Sequence, residues 1–429
     1  MCRTGRGSNF RRSSFTTGNN HHEAPAGSLW SRRLNIRTKV LVLDGEERAS
    51  LAVTRSMVRA GHEVTVGAGR AWSLAGASRG ARGVALRSKA LTAPEAYVRE
   101  VAALAASTGA RVLIPITDAS VDAVLGYREL LPPGLTLPLA SLATYRDASD
   151  KVLVHQLASE LGIGIVESVI VARPGREAPA DARLYPGVVK PHRSVVGEGA
   201  RIKTGVHLVS SHDECQRVLA ALPEDAFPVL VQRRVHGPGE GIFLARWGGR
   251  TIARFAHRRL RENPPSGGGS VYRESIEADT AVLAACEALL DRLHWEGVAM
   301  IEGKRDSERG GWCVMEINGR FWGSLQLAID AGVDFPALLV EAALGGEPVA
   351  PPAWRTGVRL RWEWGEIDHV LIRLTRSRER LKLPHGAPTK PAAVAAFLRH
   401  RLGRDRLEVL RLFDPLPFIV ETLGRLRPG

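Results

Sequence analysis

Two short apolar segments near residue 300 carry acidic side chains whose spacing could bind a metal ion. Segments 298–302 (VAMIE) and 312–318 (WCVMEIN) have strand-like compositions, and the linker between them is polar and contains glycine. Because side chains alternate along a strand, Glu316 and Asn318 share one face, and Glu302 lies opposite them if the strands pair as a hairpin. Neighbouring carboxylates repel unless a cation separates them, and oxygen ligands suit a hard divalent ion. The pattern therefore predicts a magnesium site.

Arg320 extends the same face of the second segment. A guanidinium beside a metal ion could neutralise a phosphate or a carboxylate during a reaction. The alternative interpretation is that Glu302 and Glu316 are ordinary surface charges on a solvated sheet.

Two lysines precede this hairpin at positions that could hold phosphate oxygens. Lys190 ends a short apolar strand and is followed by a glycine-containing loop at 196–200, where bare backbone N–H groups can approach an anion closely. Lys151 ends the segment 149–151, which is typical of a helix N-cap and directly precedes the amphipathic helix predicted at 152–161. Taken alone, the loop is equally typical of a surface turn.

Further along the chain, strand 227–235 leads into the glycine-rich segment 236–241. Strand 251–261 is predicted to place Phe255, His257, Arg259 and Arg261 on one face, and the Pro/Gly-rich loop after it could fold over a ligand. The alternative for these arginines is a solvated sheet edge that resists aggregation.

The segment at 38–147 alternates strands with helices, which predicts a small parallel α/β domain. Gly67 and Gly69 follow one of its strands, but Trp72 occupies the position of the third glycine in a dinucleotide fingerprint. NAD binding is therefore not expected.

Composition excludes several classes of protein. The net charge of +14 is concentrated at the ends, with +7 in residues 1–39 and +8 in residues 355–429, so the centre is nearly neutral and a specific nucleic-acid partner is not expected. No apolar run is long enough to span a membrane. The four cysteines are far apart, which indicates no disulfide framework and favours the cytoplasm.

The order of these parts resembles the ATP-grasp superfamily over about residues 40–345. Segment 314–324 (VMEINGRFWGS) is most similar to the carbamoyl-phosphate-synthase-like carboligases of bacteria. The resemblance implies a mixed α/β and α+β chain. A pre-ATP-grasp α/β domain would cover 38–147 and a two-lobed ATP-grasp domain with antiparallel sheets 148–347. Composition predicts a disordered basic segment at 1–37, because it has no periodic apolar pattern. A basic helical extension rich in Trp and Arg, packed on the catalytic domain or forming a homodimer contact, would cover 348–429.

The resemblance also implies roles for individual residues. Lys190 and Arg320 would be catalytic, Glu240 would bind the ribose, and Glu302, Glu316 and Asn318 would hold Mg²⁺ or Mn²⁺. The remaining contacts to ATP would come from two lysines, a mobile loop, a hinge whose backbone reads adenine, and one arginine: Lys151, Lys190, Gly197, Glu198, Gly199, Ala200, Gln232, Arg233, Arg234, Val235 and Arg259. The hinge departs from the commoner pattern, since Arg233 or Arg234 stands where many relatives have an acidic residue.

The implied activity is an ADP-forming ligase that activates a small carboxylate as an acyl phosphate and couples it to an amine. Metal, lysines and arginine suffice for phosphoryl transfer, which needs no protein nucleophile. Two alternatives stay open: an ATP-binding protein of the same fold without ligase turnover, and a kinase-like phosphotransferase.

Overall fold

The N-terminal part of the chain builds a four-stranded parallel sheet in which three strands are largely buried. The structure is a computed structural model that describes residues 37–197, 201–347, 350–383, 386–401 and 405–426. The strands are β1 (Lys39–Val42), β2 (Glu63–Ala68), β3 (Ala81–Ala85) and β4 (Val112–Ile114), in the order β3-β2-β1-β4. The helices are α1 (Arg48–Arg59), α2 (Pro94–Thr108), α3 (Asp118–Gly126) and α4 (Leu142–Ser149). Parallel strands need helical crossovers, which explains the alternation in the sequence.

The next segment forms a lobe around a four-stranded antiparallel sheet of order β5-β10-β6-β9. Its elements are α5 (Lys151–Glu160), β5 (Ser168–Val171), β6 (Gly187–Pro191), β7 (Val195–Val196), β8 (Ile202–Lys203), β9 (His207–Val209), α6 (His212–Ala221) and β10 (Val229–Arg233). Strands β7 and β8 pair separately as a small hairpin. This lobe, residues 151–233, is called lobe A below.

A larger antiparallel sheet forms the second lobe, residues 239–343, called lobe B. Its elements are β11 (Gly239–Trp247), β12 (Arg250–Asn263), β13 (Gly269–Ser275), α7 (Thr280–Arg292), β14 (Gly297–Arg305), β15 (Trp312–Asn318), α8 (Leu325–Ala331) and α9 (Phe335–Ala343). The strands lie in the order β15-β14-β11-β12-β13. One buried cluster joins Val40 and Leu51 of the N-terminal domain to Phe243 and Phe335 of lobe B, so these two parts share a core.

The C-terminal segment continues the sheet of lobe B rather than forming helices alone. Its elements are β16 (Arg359–Arg361), α10 (Glu363–Thr375), α11 (Lys390–Arg401), β17 (Arg406–Leu407) and α12 (Leu416–Leu426). Strand β16 pairs antiparallel with β13, and β17 pairs parallel with β16. Trp354 and Trp362 pack against the core that the N-terminal domain and lobe B share.

The predicted fold class is confirmed: a parallel N-terminal sheet precedes antiparallel sheets, and helices follow at the C-terminus. Apart from Arg37, the segment predicted to be disordered lies outside the described residues. Across the described ranges, no helix is both long enough and apolar enough to cross a membrane. The three cysteines in those ranges, Cys215, Cys286 and Cys313, are all free thiols.

Candidate active site

A cleft of about 800 Å³ lies between lobes A and B. Lobe A contributes Lys190 at the end of β6, and the hinge that follows β10 contributes Arg234 and Val235. Lobe B contributes Glu302 and Glu316 from neighbouring strands. The cleft therefore brings together the lysine and the acidic pair that the sequence pattern singled out.

The hairpin β14–β15 fixes the acidic pair in register. Glu302 lies directly opposite Glu316, and Met300 lies opposite Asn318, so the three predicted metal ligands share one face. The register shifts immediately after Glu302, at Gly303, where a Cβ atom would lie only 2.0 Å from the ring of Trp312. The glycine thus lets the tryptophan pack beneath the hairpin without moving the carboxylates.

Cationic side chains surround both carboxylates. Glu302 pairs with Arg259 at 2.6 Å, and Glu316 pairs with the ammonium of Lys151 at 3.3 Å. Burial raises the pKa of the Glu316 carboxyl, but Lys151 and Lys190 outweigh burial and lower this pKa to about 2. Both lysines therefore favour an ionised carboxylate at neutral pH.

For Lys190, burial outweighs the neighbouring charges in setting the pKa. Burial lowers the pKa of its ammonium to about 8, with Lys151 adding to this effect and Glu316 opposing it. An anion bound beside Lys190 would favour its charged form, so the lysine is placed to respond to a phosphate.

The donor set suits a hard divalent cation. Two carboxylates and one side-chain amide oxygen lie on adjacent strands, and these are ligands that Mg²⁺ accepts. In the described ranges no group of three or more His, Cys, Asp or Glu side chains is placed to share a metal. A cation at this hairpin would therefore depend on the asparagine oxygen and on oxygens from a bound phosphate.

Arg320, which follows β15, connects this strand to the N-terminal domain. Its guanidinium donates to the Asn318 side-chain oxygen at 3.2 Å and pairs with Asp118, at the start of α3, at 3.0 Å. The hydroxyl of Tyr145 donates to the same aspartate at 3.2 Å. The guanidinium is thus held beside the acidic pair by two elements at once.

At the hinge, side chains and backbone have different partners. The backbone N–H groups of Arg233 and Arg234 donate to the carbonyl oxygens of Glu167 and Pro186, at 3.0 and 3.1 Å. The N–H of Val235 has no partner in the described part of the chain, so this group is available to an adenine edge. Gln232 is buried, and its amide lies 3.4 Å from the ring of His155.

Arg233, one of the two hinge arginines noted in the sequence, forms an ion pair inside the protein. Arg233 pairs with the buried carboxylate of Asp306 in the β14–β15 turn, and Glu308 lies 3.4 Å away. Its positive charge is therefore neutralised by the hairpin.

Two expectations from the sequence are not supported by this geometry. Glu240 lies opposite Gly303, on the other face of the sheet from Glu302, and its carboxylate turns to Arg305 at 3.3 Å, so it does not line the cleft. Arg261 does not continue the face of Arg259, because the register of β12 shifts between them; it pairs instead with Glu366 of α10.

The predicted phosphate loop is described only at its start. Gly197 lines a second cavity of about 350 Å³, together with Lys151, Glu316 and Asn318. Glu198, Gly199 and Ala200 lie outside the described residues.

Several residues that line the cleft were not predicted to bind a ligand. His257 lies across Gly241 from Glu302, is 1% exposed, and within the described ranges neither ring nitrogen has a hydrogen-bond partner. The position of His257 on β12, two residues from Arg259, could have suggested that it faces the cleft. Arg48, Glu214 and Lys382 come from three distant segments, and no local pattern in the sequence marks them.

Comparison with known proteins agrees with this architecture. Residues 227–365 match the family model described as "ATP-grasp in the biosynthetic pathway with Ter operon". The L-amino acid ligase from Bacillus licheniformis is similar in structure, with a TM-score of 0.55 and 16% identity over 75% of this chain and 76% of that one. The chain therefore has the ATP-grasp fold.

Two further structures share the ATP-grasp fold. The biotin carboxylase domain of the Hydrogenobacter thermophilus 2-oxoglutarate carboxylase, in complex with MgADP and bicarbonate, has a TM-score of 0.57 and 13% identity over 76% of this chain and 74% of that one. The N5-carboxyaminoimidazole synthetase from Staphylococcus aureus has a TM-score of 0.55 and 14% identity over 75% of this chain and 81% of that one. No curated protein matches the sequence significantly. At these identities the likeness establishes the fold alone.

Proposed function

We propose that this ATP-grasp protein is an ADP-forming ligase that joins a small carboxylate to an amine. The observation that carries the proposal is the pairing of Glu302 with Glu316 across one hairpin, facing a cleft that also contains Lys190. An acidic pair beside a phosphate-binding lysine is what transfer from a metal–nucleotide complex requires.

In the proposed reaction a carboxylate oxygen of the first substrate attacks the γ-phosphorus of ATP, and the bond to the β-phosphate oxygen breaks. The products of this step are an acyl phosphate and ADP. The amine then attacks the acyl carbon, inorganic phosphate leaves, and the amine loses a proton. The first step moves negative charge onto the β-phosphate oxygen of ADP, and the second releases inorganic phosphate as the leaving group, so catalysis depends on positioning and on charge neutralisation.

The residues of the cleft divide this work. Lys151 and Lys190 would hold phosphate oxygens, and the backbone of Val235 would bind the adenine edge. Glu302, Glu316 and Asn318 would hold Mg²⁺, which when bound neutralises phosphate charge and polarises the transferring group. Arg320 would bind the carboxylate or the acyl phosphate, because Asp118 and Asn318 already orient its guanidinium.

The carboxylate and amine would enter at the end of the cleft lined by Arg48, His257, Trp322 and Ser324. This end combines a cation, an imidazole and an indole, which suits a small polar substrate with an apolar part. The solved relatives include an L-amino acid ligase, which supports amino acids as the first substrates to test. We place the reaction in the cytoplasm, consistent with the free cysteines.

The test is a screen of amino acids and small carboxylates, alone and in pairs, with ATP and Mg²⁺. ADP, phosphate and the coupled product would be measured together, the last by mass spectrometry. Glu316→Gln should abolish the signal, while Glu277→Gln, an exposed glutamate outside the cleft, should retain it.

The two alternatives give different results in the same screen. A phosphorylated hydroxyl compound formed with ADP would identify a phosphotransferase. Tight ATP binding without turnover of any pair would identify a nucleotide-binding protein. Either result would replace the ligase proposal.

A further inference from the structure

A segment of the C-terminal region lies against the cleft beside the hinge residue Arg234. Residues 377–383, called the C-terminal strap below, follow α10, and Lys382 lines the cleft. Leu381 is 4% exposed, which anchors the strap, and Lys382 itself has a φ of +46°. A lysine held in this left-handed conformation is uncommon and indicates that several contacts fix it.

Those contacts reach both lobes. The ammonium of Lys382 donates to the Leu208 carbonyl oxygen at 2.6 Å and to the Glu214 carboxylate at 2.5 Å. The carbonyl oxygen of Lys382 accepts from Arg234 at 2.6 Å, and the same guanidinium donates to the Ser266 carbonyl oxygen at 3.2 Å. The strap therefore links lobe A, the hinge and the glycine-rich loop of lobe B.

Glu214 and Lys382 both line the cleft and retain hydrogen-bonding capacity. A lysine ammonium has three donors, and the contacts above use two of them. The Glu214 carboxylate accepts from Lys382 on one oxygen and from the Ser210 N–H, at 2.7 Å, on the other, and the Ser210 side chain also hydrogen-bonds this carboxylate. The oxygen bonded to Lys382 can accept once more. An adjacent donor and acceptor of this kind match the two neighbouring hydroxyls of a ribose.

Apolar residues of the cleft surround this pair. Val188, Leu208, Val218 and Val235 line the same end of the cleft and offer apolar surface for a purine base. Glu240, expected to bind the ribose, faces the other side of the sheet. Glu262 of lobe B also lines the cleft, but its carboxylate is paired with Arg259 at 3.2 Å.

Resting on the proposed function, we propose that Glu214 and Lys382 bind the ribose hydroxyls of the nucleotide. The sugar site is then built by α6 and by the C-terminal strap, which lies beyond the segment matched by the family model. The chemical class of ligand is a ribonucleotide rather than a deoxyribonucleotide.

The test compares ADP with 2′-deoxy-ADP by titration calorimetry in the presence of Mg²⁺. A hydrogen bond to a charged group is worth about tenfold in affinity, so the native protein should prefer ADP by about that factor. Glu214→Gln and Lys382→Met should bring the ratio close to one. Lys390→Met, which removes an exposed lysine elsewhere in the extension, should leave the ratio at its native value.

Three results would overturn the assignment. An equal loss of affinity for ADP and for 2′-deoxy-ADP in both variants would show that Glu214 and Lys382 only support the wall of the cleft. A loss that grows from AMP to ADP to ATP in Lys382→Met would place that lysine at the phosphates. Unchanged binding in both variants would remove the pair from the site.

Failure of the proposed function is distinguishable from these results. A native protein that binds no adenine nucleotide would reject both proposals, whereas nucleotide binding with an unaltered ratio in the variants rejects only the ribose assignment. Lys382→Arg, which keeps the charge, should restore the preference for ADP. If Lys382→Met fails to fold, Glu214→Gln, which keeps size and shape, still decides the question.

Discussion

Replacing Glu316 with glutamine tests the centre of the proposed site. The change keeps the size of the side chain and removes one of two carboxylates from the predicted metal face. It also leaves Lys151 without the carboxylate that lies 3.3 Å from its ammonium. We expect three separable effects, on turnover, on nucleotide binding and on stability.

The effect on turnover should be largest. Loss of one preorganised electrostatic contact in an active site typically costs about 10²–10³ in kcat, or ~2.7–4 kcal/mol. The effect on binding follows from Lys190: Glu316 raises the pKa of its ammonium, so the variant should hold this pKa below the native value of about 8. Less of the lysine is then charged at neutral pH, and ADP affinity should fall as well.

The effect on stability should be small by comparison. The Glu316 side chain is 27% exposed, so the pair with Lys151 is partly solvated and its loss should cost about 1–2 kcal/mol, less than a fully buried pair. For a chain of this size that is a shift of roughly 2–4 °C or less in Tm. Steady-state kinetics, calorimetry and thermal unfolding measure the three effects on one preparation. Turnover within threefold of the native rate, at an unchanged Tm, would refute the assignment of Glu316.

Three more predictions concern pH, the C-terminal segment and the N-terminus. Because burial lowers the pKa of Lys190 to about 8, ADP affinity should fall as pH rises from 7 to 9, and binding should take up protons. Calorimetry in two buffers measures this proton uptake, and Lys190→Arg should flatten the pH profile of ADP affinity. Asp414→Ala should lower the free energy of unfolding by about 3–5 kcal/mol, since it leaves Arg55 buried without its 2.8 Å partner; denaturant titration tests this, and a change below 1 kcal/mol would contradict it. Deleting residues 1–36 should leave Tm and ADP affinity unchanged, because that segment lacks a periodic apolar pattern, and a large fall in Tm would show that it packs on the core.

The parts of the site that the sequence predicted are those encoded locally. The hairpin that carries Glu302 and Glu316 follows from strand periodicity and a short polar linker. The sequence alone could therefore predict that the two carboxylates lie on the same face. The strands and helices of the N-terminal domain were recognisable for the same reason, although β3, whose residues are half exposed, was not.

The parts that were missed depend on register and on distant segments. Glu240 was assigned to the cleft, yet a difference of one residue in pairing places it on the opposite face, and the sequence does not specify that register. Arg261 was misplaced by an irregularity in β12 that leaves no clear mark in composition. Lys382 is separated from Glu214 by most of lobe B, and only the folded chain brings them together.

The buried ion pairs of the C-terminal segment have a consequence for synthesis of the chain. Glu408 is the partner of the fully buried Arg273, and Asp414 is the partner of Arg55 on α1. Both carboxylates leave the ribosome long after the arginines they neutralise. Until then, the nascent N-terminal domain and lobe B would have to bury unpaired guanidinium groups to close their shared core, which is unfavourable by several kcal/mol. We therefore expect the shared core to form only after residue 414 has been synthesised. A chain truncated before residue 414 should be degraded by cellular proteases rather than persist as a shorter functional form.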